Sequence, residues 1–138
     1  MNKYIPNNYK FKKIRKRVRI GNLQDFRGNT LKTGNFGLKI LANGTISSVV
    51  LEAARRSITR KIKRTGQLKV NGFSNIPVTS KALGIRMGKG SGSISNWVFA
   101  VKRGRILFEL KGVSFDVAKS ALRSASYKIP LKSKFIYD

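Results

Sequence analysis

The sequence predicts an α+β domain with two helices packed on a mostly antiparallel sheet, together with a basic N-terminal extension and a long Gly-rich loop. Two segments place apolar residues three and four positions apart, as helices do, and several shorter segments show the patterns of strands. The length of 138 residues suits a single domain. We therefore expect residues 1–24 to form the extension and residues 25–138 to form one domain.

The extension is a dense run of basic residues. Seven cations crowd one short segment of it, namely Lys10, Lys12, Lys13, Arg15, Lys16, Arg17 and Arg19. Residues 17–20 alternate basic and apolar side chains, so they can form a strand once a partner neutralises the charge, and alone in water the segment should be disordered. No apolar run follows the basic start, which argues against a secretory signal. We favour a phosphate-binding tail over an organelle transit segment.

The clearest helix follows Ser47, which is the expected N-cap, and Gly66 stands where a C-terminal cap is expected. Its apolar stripe consists of Leu51, Ala54, Ile58 and Ile62. Basic residues spread over the other side, namely Arg55, Arg56, Arg60, Lys63 and Arg64. Glu52 is the one acid among them, so we expect the ion pairs of a solvated helix to be missing and this face to contact phosphate. A merely solvated basic face is the alternative.

Five strands and a second helix complete the predicted domain. The strands are expected at residues 36–41 (closed by an Asn43-Gly44 turn), 67–70, 97–101, 105–110 and 133–137. The turn 102–104 joins two of them in what resembles a hairpin, where Glu109 is expected to orient an Arg or Lys or to serve solubility. The second helix begins at Ser114 and should bury Val117, Ala121, Leu122 and Ala125. Residues 77–92 are expected to be irregular.

The glycine-rich loop is the most distinctive segment, with four glycines among residues 84–92. Glycine lets the backbone approach another surface and point N–H groups at anions, and Arg86 and Lys89 add charge there. The spacing does not fit a P-loop, because Gly90 follows Lys89 where Ser or Thr is required, and it does not fit a dinucleotide-binding fingerprint. We interpret the segment as an RNA-contacting loop, with a flexible surface loop as the alternative.

Composition indicates the class of partner. The chain has 30 Lys and Arg against five acids, a formal net charge of +25. A compact body with this charge is stable only beside a polyanion, and the phosphates of nucleic acid fit that need. The sequence lacks His and Cys, which excludes thiolate and imidazole metal sites and the usual nucleophile pairs. No apolar run is long enough to span a membrane. We expect a binding protein with no catalytic residue, metal, cofactor or small-molecule substrate.

Many short motifs resemble the L-sixteen family of large-subunit ribosomal proteins. They are residues 36–39, 51–56, 59–60, 63–64, 66, 77–79, 86–90, 97–98, 104–109, 112–113 and 128–130. Each motif is weak alone, but together they keep the family's order and spacing over nearly the whole chain. The chain departs from the family's pattern at Ser91, where bacterial relatives commonly carry Lys, and over residues 69–76.

The resemblance implies a structural constituent of the large ribosomal subunit that binds large-subunit rRNA near the central protuberance and the aminoacyl-tRNA site. It implies rRNA contacts for the helix cations and the extension, with neighbouring ribosomal proteins as further partners. The matching loop residues Arg86, Met87, Gly88, Lys89 and Gly90 would lie near tRNA and help to position it during translation.

Two other functional classes and the location remain open at this point. A DNA-compacting protein should bind duplex DNA as tightly as structured RNA, and a nucleotide-dependent enzyme should bind ATP or GTP through Lys89. The abundance of Lys, Asn and Ile is typical of an AT-rich genome. We therefore expect a mitochondrial ribosome, with a plastid or the bacterial cytoplasm as the alternatives.

Overall fold

A computed structural model describes residues 4–7, 13–14 and 28–138. Their secondary structure, in chain order, is β1 (Phe36–Ile40), β2 (Gly44–Ser47), α1 (Ser48–Ile62), β3 (Gln67–Val70), β4 (Ile76–Ser80), β5 (Ser93–Val101), β6 (Ile106–Lys111), α2 (Phe115–Ser126) and β7 (Ser133–Tyr137). The strands form a four-stranded sheet, ordered β3-β6-β1-β7, and a three-stranded sheet, ordered β2-β5-β4. All of these pairings are antiparallel. The predicted α+β class is confirmed, with two sheets where one was expected.

The core lies between the helices, one face of the four-stranded sheet, and Ile46, Phe99 and Val101 of the three-stranded sheet. The apolar stripe predicted for α1 is buried as expected, and it joins α2 and the inward residues of β1 and β6 in one cluster. Leu38 and Phe108 are paired across the two central strands and have almost no exposed surface. Burying a side chain of this size contributes about 1.5–3 kcal/mol to stability. The strand face that carries Leu38 and Phe108 therefore turns toward the helices.

Helix α1 begins as predicted and ends differently. The Ser47 hydroxyl accepts a hydrogen bond from the Val50 N–H, as an N-cap does. The C-cap is Lys63, in the left-handed conformation with φ 47°, and Arg64 follows with φ 68°. The cap predicted at Gly66 is therefore wrong by three residues. Gly66 has another role, because a Cβ there would lie 2.5 Å from the Lys111 carbonyl oxygen.

The predicted hairpin of the two strands joined by residues 102–104 is wrong. β5 pairs with β2 and β4, whereas β6 pairs with β1 and β3 in the other sheet. The turn between them is held by β1 instead: the Gly104 N–H donates to the Ile40 carbonyl, and the Ile40 N–H donates to the Arg105 carbonyl. These two hydrogen bonds attach the end of the turn to β1, so the chain passes from the three-stranded sheet into the four-stranded sheet at this point.

Two strands lie where none was predicted. β2 occupies the stretch between the Asn43-Gly44 turn and α1, and β4 includes Pro77, in a segment expected to be irregular. β4 is an edge strand of its sheet, where a residue without an N–H is tolerated. β5 also begins at Ser93, four residues earlier than expected, because its first half pairs with β4. The predicted irregular segment is thus reduced to the loop 81–92 at the tip of a β4–β5 hairpin.

Helix α2 confirms the second predicted helix with one correction. Ala121, Leu122 and Ala125 are buried, together with Ala118. Val117, predicted to be buried, is 38% exposed, because the helix buries a stripe of small residues that begins one position later. Ser114 stands at the N-cap position, where its side chain makes no capping hydrogen bond.

Candidate nucleic-acid interface

The exposed side of α1 carries the predicted cations. Arg56, Arg60, Lys63 and Arg64 are exposed, and Arg55 is half-buried beside the core. Arg60, Lys63 and Arg64 make no hydrogen bond or ion pair with the part of the chain that the structure describes. Their charges are therefore free to meet an external anion.

Glu52 pairs with two of these arginines, so the expectation that α1 lacks ion pairs is wrong. The Arg55 Nε and Nη2 each lie 2.8 Å from a carboxylate oxygen of Glu52, and the Arg56 Nε lies 2.9 Å from Oε1. The hydrogen bond from Arg55 lowers the pKa of Glu52 to about 2, with burial opposing and Arg56 adding to the shift. The carboxylate therefore stays charged at neutral pH and fixes the orientation of both guanidinium groups.

The end of α1 directs Lys63 and Arg64 away from the helix axis. Both residues have positive φ, a conformation that costs a non-glycine residue about 1–2 kcal/mol. The turn is held by Thr65, whose backbone N–H and side-chain hydroxyl both donate to the Ile62 carbonyl. Glycine would be the more stable residue at either position, so the helix end keeps two cations at a cost in backbone strain.

A shallow groove runs along the same side of α1. It is lined by Val49, Glu52, Ala53, Arg56, Ser57, Arg60 and Lys128. Lys128 comes from the turn after α2, so cations from two elements converge on the groove. Apart from Glu52, the lining presents cations and small side chains, an arrangement suited to a phosphate backbone.

The glycine-rich loop extends from the β4–β5 hairpin. Residues 82–91 are all exposed, Met87 at 92%. Gly84, Gly88 and Gly90 have positive φ, and a Cβ on any of them would meet nothing within 4 Å. These glycines therefore serve the backbone conformation and not packing.

Two lysines bind the loop's own carbonyl groups. The Lys81 ammonium donates to the Arg86 carbonyl at 3.3 Å and also to the Gly88 carbonyl. The Lys13 ammonium lies 3.3 Å from the Ser91 carbonyl, which brings one residue of the basic extension to the base of the loop. The Arg86 and Lys89 side chains are exposed and make no hydrogen bond with the residues that the structure describes. The other predicted extension cations, Lys10, Lys12, Arg15, Lys16, Arg17 and Arg19, lie outside the described residues.

Glu109 is buried, and its partners differ from those predicted. Its Oε2 accepts the backbone N–H groups of Lys32, Thr33 and Gly34 at 3.3, 2.8 and 3.2 Å. Its Oε1 accepts a short hydrogen bond of 2.5 Å from Asn71 Nδ2. Burial raises the pKa of Glu109, but these four hydrogen bonds outweigh it and the pKa is lowered. The carboxylate thus holds a loop in place and does not orient an Arg or Lys.

Over residues 6–136 the chain matches the family described as Ribosomal protein L16p/L10e. The large ribosomal subunit protein uL16 of Psychrobacter cryohalolentis is 43% identical over 131 residues, which cover 95% of this chain and 94% of that protein. Its counterpart from Azobacteroides pseudotrichonymphae is 47% identical over 131 residues, covering 95% and 90%. The chain belongs to the ribosomal protein L16p/L10e family.

Membership in the L16p/L10e family confirms the resemblance predicted from the motifs. It supports a structural role in the large ribosomal subunit and in translation, and the family is not one of enzymes. Within the described residues, no helix is long and apolar enough to cross a membrane. The same residues contain no cluster of metal-ligating side chains.

Several contacts of the candidate interface were not predicted from the sequence. The pairing of Glu52 with Arg55 and Arg56 was detectable, because three and four positions is the spacing at which helical side chains meet. The roles of Lys81 and Lys128 were not detectable. Each depends on contacts that form only once the hairpin or the second helix is in place.

Proposed function

We propose that this chain binds large-subunit rRNA near the central protuberance and the aminoacyl-tRNA site, and that it helps to position tRNA. The observation that carries the rRNA contact is the exposed side of α1. There the side chains of Arg60, Lys63 and Arg64 have no partner among the described residues, and Glu52 fixes the guanidinium of Arg56 toward the same groove. Fixed guanidinium groups favour phosphate binding, because less side-chain freedom is lost on contact.

The loop supplies the proposed tRNA contact. Arg86 and Lys89 stand at the exposed tip of the hairpin, and Gly88 and Gly90, on either side of Lys89, leave the backbone there free of side chains. A bare backbone flanked by two cations suits close approach to a phosphate or a base. Met87, almost fully exposed, adds an apolar surface for a base to pack against.

The basic extension, residues 1–24, is proposed as a third rRNA contact that precedes a domain of residues 25–138. Its sequence carries seven of the cations named above and, in the segment 10–19, no acid. Deleting residues 1–20 should reduce occupancy of the chain in large subunits, because each lost phosphate contact weakens binding. Unchanged occupancy would show that the extension is dispensable.

Three substitutions on α1 test the rRNA contact. A helix variant (Arg56→Gln, Arg60→Gln, Arg64→Gln) is compared with a control variant (Lys102→Gln, Lys119→Gln, Lys132→Gln), which removes the same charge at exposed positions elsewhere. The helix variant should co-sediment less with large subunits, and its plot of log affinity for structured RNA against log salt should be shallower by about 2–3. Equal losses in both variants would contradict a specific contact on α1. Equal affinity for duplex DNA would instead favour a DNA-compacting protein.

The tRNA contact predicts a different defect. Arg86→Ala with Lys89→Ala should leave incorporation into the large subunit intact and should slow accommodation of aminoacyl-tRNA, because both residues lie on the exposed β4–β5 loop and not on α1, which is proposed to bind rRNA. The readouts are subunit occupancy and the rate of tRNA accommodation. Loss of incorporation would show that the loop anchors rRNA.

Neighbouring ribosomal proteins are proposed as further partners, and the mitochondrial ribosome as the location. Composition typical of an AT-rich genome supports the location, whereas the relatives named above come from bacteria. Cell fractionation, with an antibody against the chain, separates a mitochondrial from a plastid or bacterial ribosome. Recovery in bacterial or plastid particles alone would reject the mitochondrial assignment.

A further inference from the structure

A second cationic surface lies on the side of the four-stranded sheet that faces away from the helices. Side chains alternate between the two faces of a strand. In β1, β3, β6 and β7 the inward positions include Leu38, Leu68, Leu110 and Phe135, all part of or packed against the core. A lysine stands next to each of these inward residues, after it in β1, β3 and β6 and before it in β7, and points outward. We call Lys39, Lys69, Lys111 and Lys134 the outer-face lysines.

The strand register places the outer-face lysines close together. Lys39 is paired directly with Lys134 across β1 and β7, and Lys69 is paired with Glu109 across β3 and β6. Three inter-strand spacings of about 4.8 Å make the set about 14 Å wide across the sheet, and the register offsets Lys39 and Lys111 by four residues, about 13 Å, along the strands. Like charges directly opposite each other destabilise a sheet, so the Lys39–Lys134 pair is unfavourable unless an anion lies beside it.

The acids near this surface form no ion pair with its lysines, and Glu109 supplies a single negative charge against the four outer-face lysines. Both oxygens of Glu109 are occupied by the backbone of residues 32–34 and by Asn71. Asp138 follows β7, where its N–H donates to the Asn35 carbonyl, and among the described residues it forms no ion pair. The only ion pairs within those residues belong to Glu52 on α1.

The loop that Glu109 holds gives the surface a defined shape. Residues 28–35 lie on the outer face so closely that a Cβ on Gly34 would be 2.6 Å from the Leu110 carbonyl oxygen. The Lys69 ammonium donates to Thr33 Oγ1 at 2.7 Å, and the Lys39 ammonium donates to the Asn29 carbonyl at 3.4 Å. Two ammonium groups are thereby positioned along one loop, beside the exposed Lys32.

The chemistry of this face favours nucleic acid over protein. Interfaces between proteins are depleted in lysine and depend on buried apolar or aromatic anchors. Among the described residues, no exposed large apolar side chain occupies an outward position on these four strands: Leu83 and Met87 lie on the loop, and Tyr137 on β7 alternates with the outward Lys134. Clustered lysines without apolar anchors are suited to the phosphates of a nucleic acid backbone.

We propose that the outer-face lysines, together with Lys32, form a second phosphate-binding surface for RNA, separated from the α1 surface by the core. The domain then bridges two RNA segments, one on each side. This inference rests on the proposed function, since it requires that the chain is surrounded by large-subunit rRNA.

Directed cleavage tests the proposal, because the chain has no Cys and any introduced Cys is unique. Full-length Lys69→Cys, Lys111→Cys and Arg60→Cys variants, each carrying a tethered iron chelate, are reconstituted into large subunits. The probes at 69 and 111 should cleave a common rRNA segment, and the probe at 60 should cleave a different one. Cleavage from position 60 alone would overturn the second surface and leave the proposed function intact. Absence of cleavage from all three, without incorporation, would overturn both.

Salt dependence provides an independent readout. An outer-face variant (Lys69→Gln, Lys111→Gln, Lys134→Gln) should flatten the plot of log affinity for large-subunit rRNA against log salt by about 2–3, whereas the control variant should change it less. Circular dichroism and urea unfolding verify that each variant folds. Equal flattening in the outer-face and control variants would overturn the proposal, because the effect would then follow net charge and not position.

Discussion

Removing the Glu109 carboxylate should lower the stability of the domain, because this carboxylate holds the loop 28–35 in place. In Glu109→Ala, four donors lose their acceptor: the N–H groups of Lys32, Thr33 and Gly34, and the Asn71 amide. Lys32 and Thr33 are exposed, so water can replace the lost bonds there. The other two donors are less accessible, and an unsatisfied buried donor costs about 1–3 kcal/mol. We therefore expect the free energy of unfolding to fall by about 2–4 kcal/mol.

The conservative variant separates charge from hydrogen bonding. Glu109→Gln keeps one acceptor oxygen, and Asn71 can rotate its amide to accept from the new NH₂ group. It should therefore lose only the charge assistance, about 1–2 kcal/mol. Urea unfolding followed by Trp97 fluorescence measures both changes, and Asp116→Ala, at an exposed acid in the first turn of α2, is the control.

Amide hydrogen exchange shows which part of the domain loses stability in Glu109→Ala. The amides of residues 32–34 should exchange faster in Glu109→Ala, while those of α1 follow the global stability. If Glu109→Ala were no more destabilising than Asp116→Ala, the reasoning that this carboxylate holds the loop would be refuted. Unchanged exchange at residues 32–34 would refute it equally.

Three further predictions concern the same network, the end of α1 and the loop. Although burial opposes it, hydrogen bonding holds the pKa of Glu109 below its ordinary value of 4.5, so its stabilisation should be complete above pH 4.5 and be lost as the pH falls below it. The free energy of unfolding, measured by urea titration at several pH values, should show this acid-dependent loss in the wild type and not in Glu109→Gln. Lys63→Gly should raise the melting temperature, by relieving about 1 kcal/mol of left-handed strain, and weaken RNA binding; a lower melting temperature would contradict this. Gly92→Ala should destabilise the hairpin by about 1–3 kcal/mol in urea unfolding, because its Cβ would overlap the Ser80 carbonyl; an unchanged midpoint would contradict this.

The sequence predicted α1 well where its signals are local. The Ser47 cap and the stripe from Leu51 to Ile62 depend on neighbours within one or two turns, and both are confirmed. The helix end was misplaced because the position of Gly66 is determined by its contact with Lys111, far along the chain. Gly66 lies against Lys111 and beyond the helix end, and the residue that adopts the left-handed conformation at the C-cap is Lys63.

Strand partners could not be predicted from the same patterns. Residues 97–101 and 105–110 have the alternation and the short glycine turn of a hairpin, yet they belong to different sheets. Alternation shows which side chains share a face of one strand, but it carries no information on the strand that pairs with it. Pro77 argued against a strand, and only its place at a sheet edge explains why β4 forms there.

By itself the sequence determined the class of partner, the family and the cations of α1 and the glycine-rich loop, because net charge and short motifs are properties of the chain. Only the tertiary structure decided that Lys39, Lys69, Lys111 and Lys134 share one face. It also decided that both carboxylate oxygens of Glu109 accept hydrogen bonds from backbone amides and Asn71, and that this acid forms no ion pair with those lysines. The physical reason is that strand pairing and burial join residues far apart in the chain, and the free energy of those contacts has no signature within any one segment.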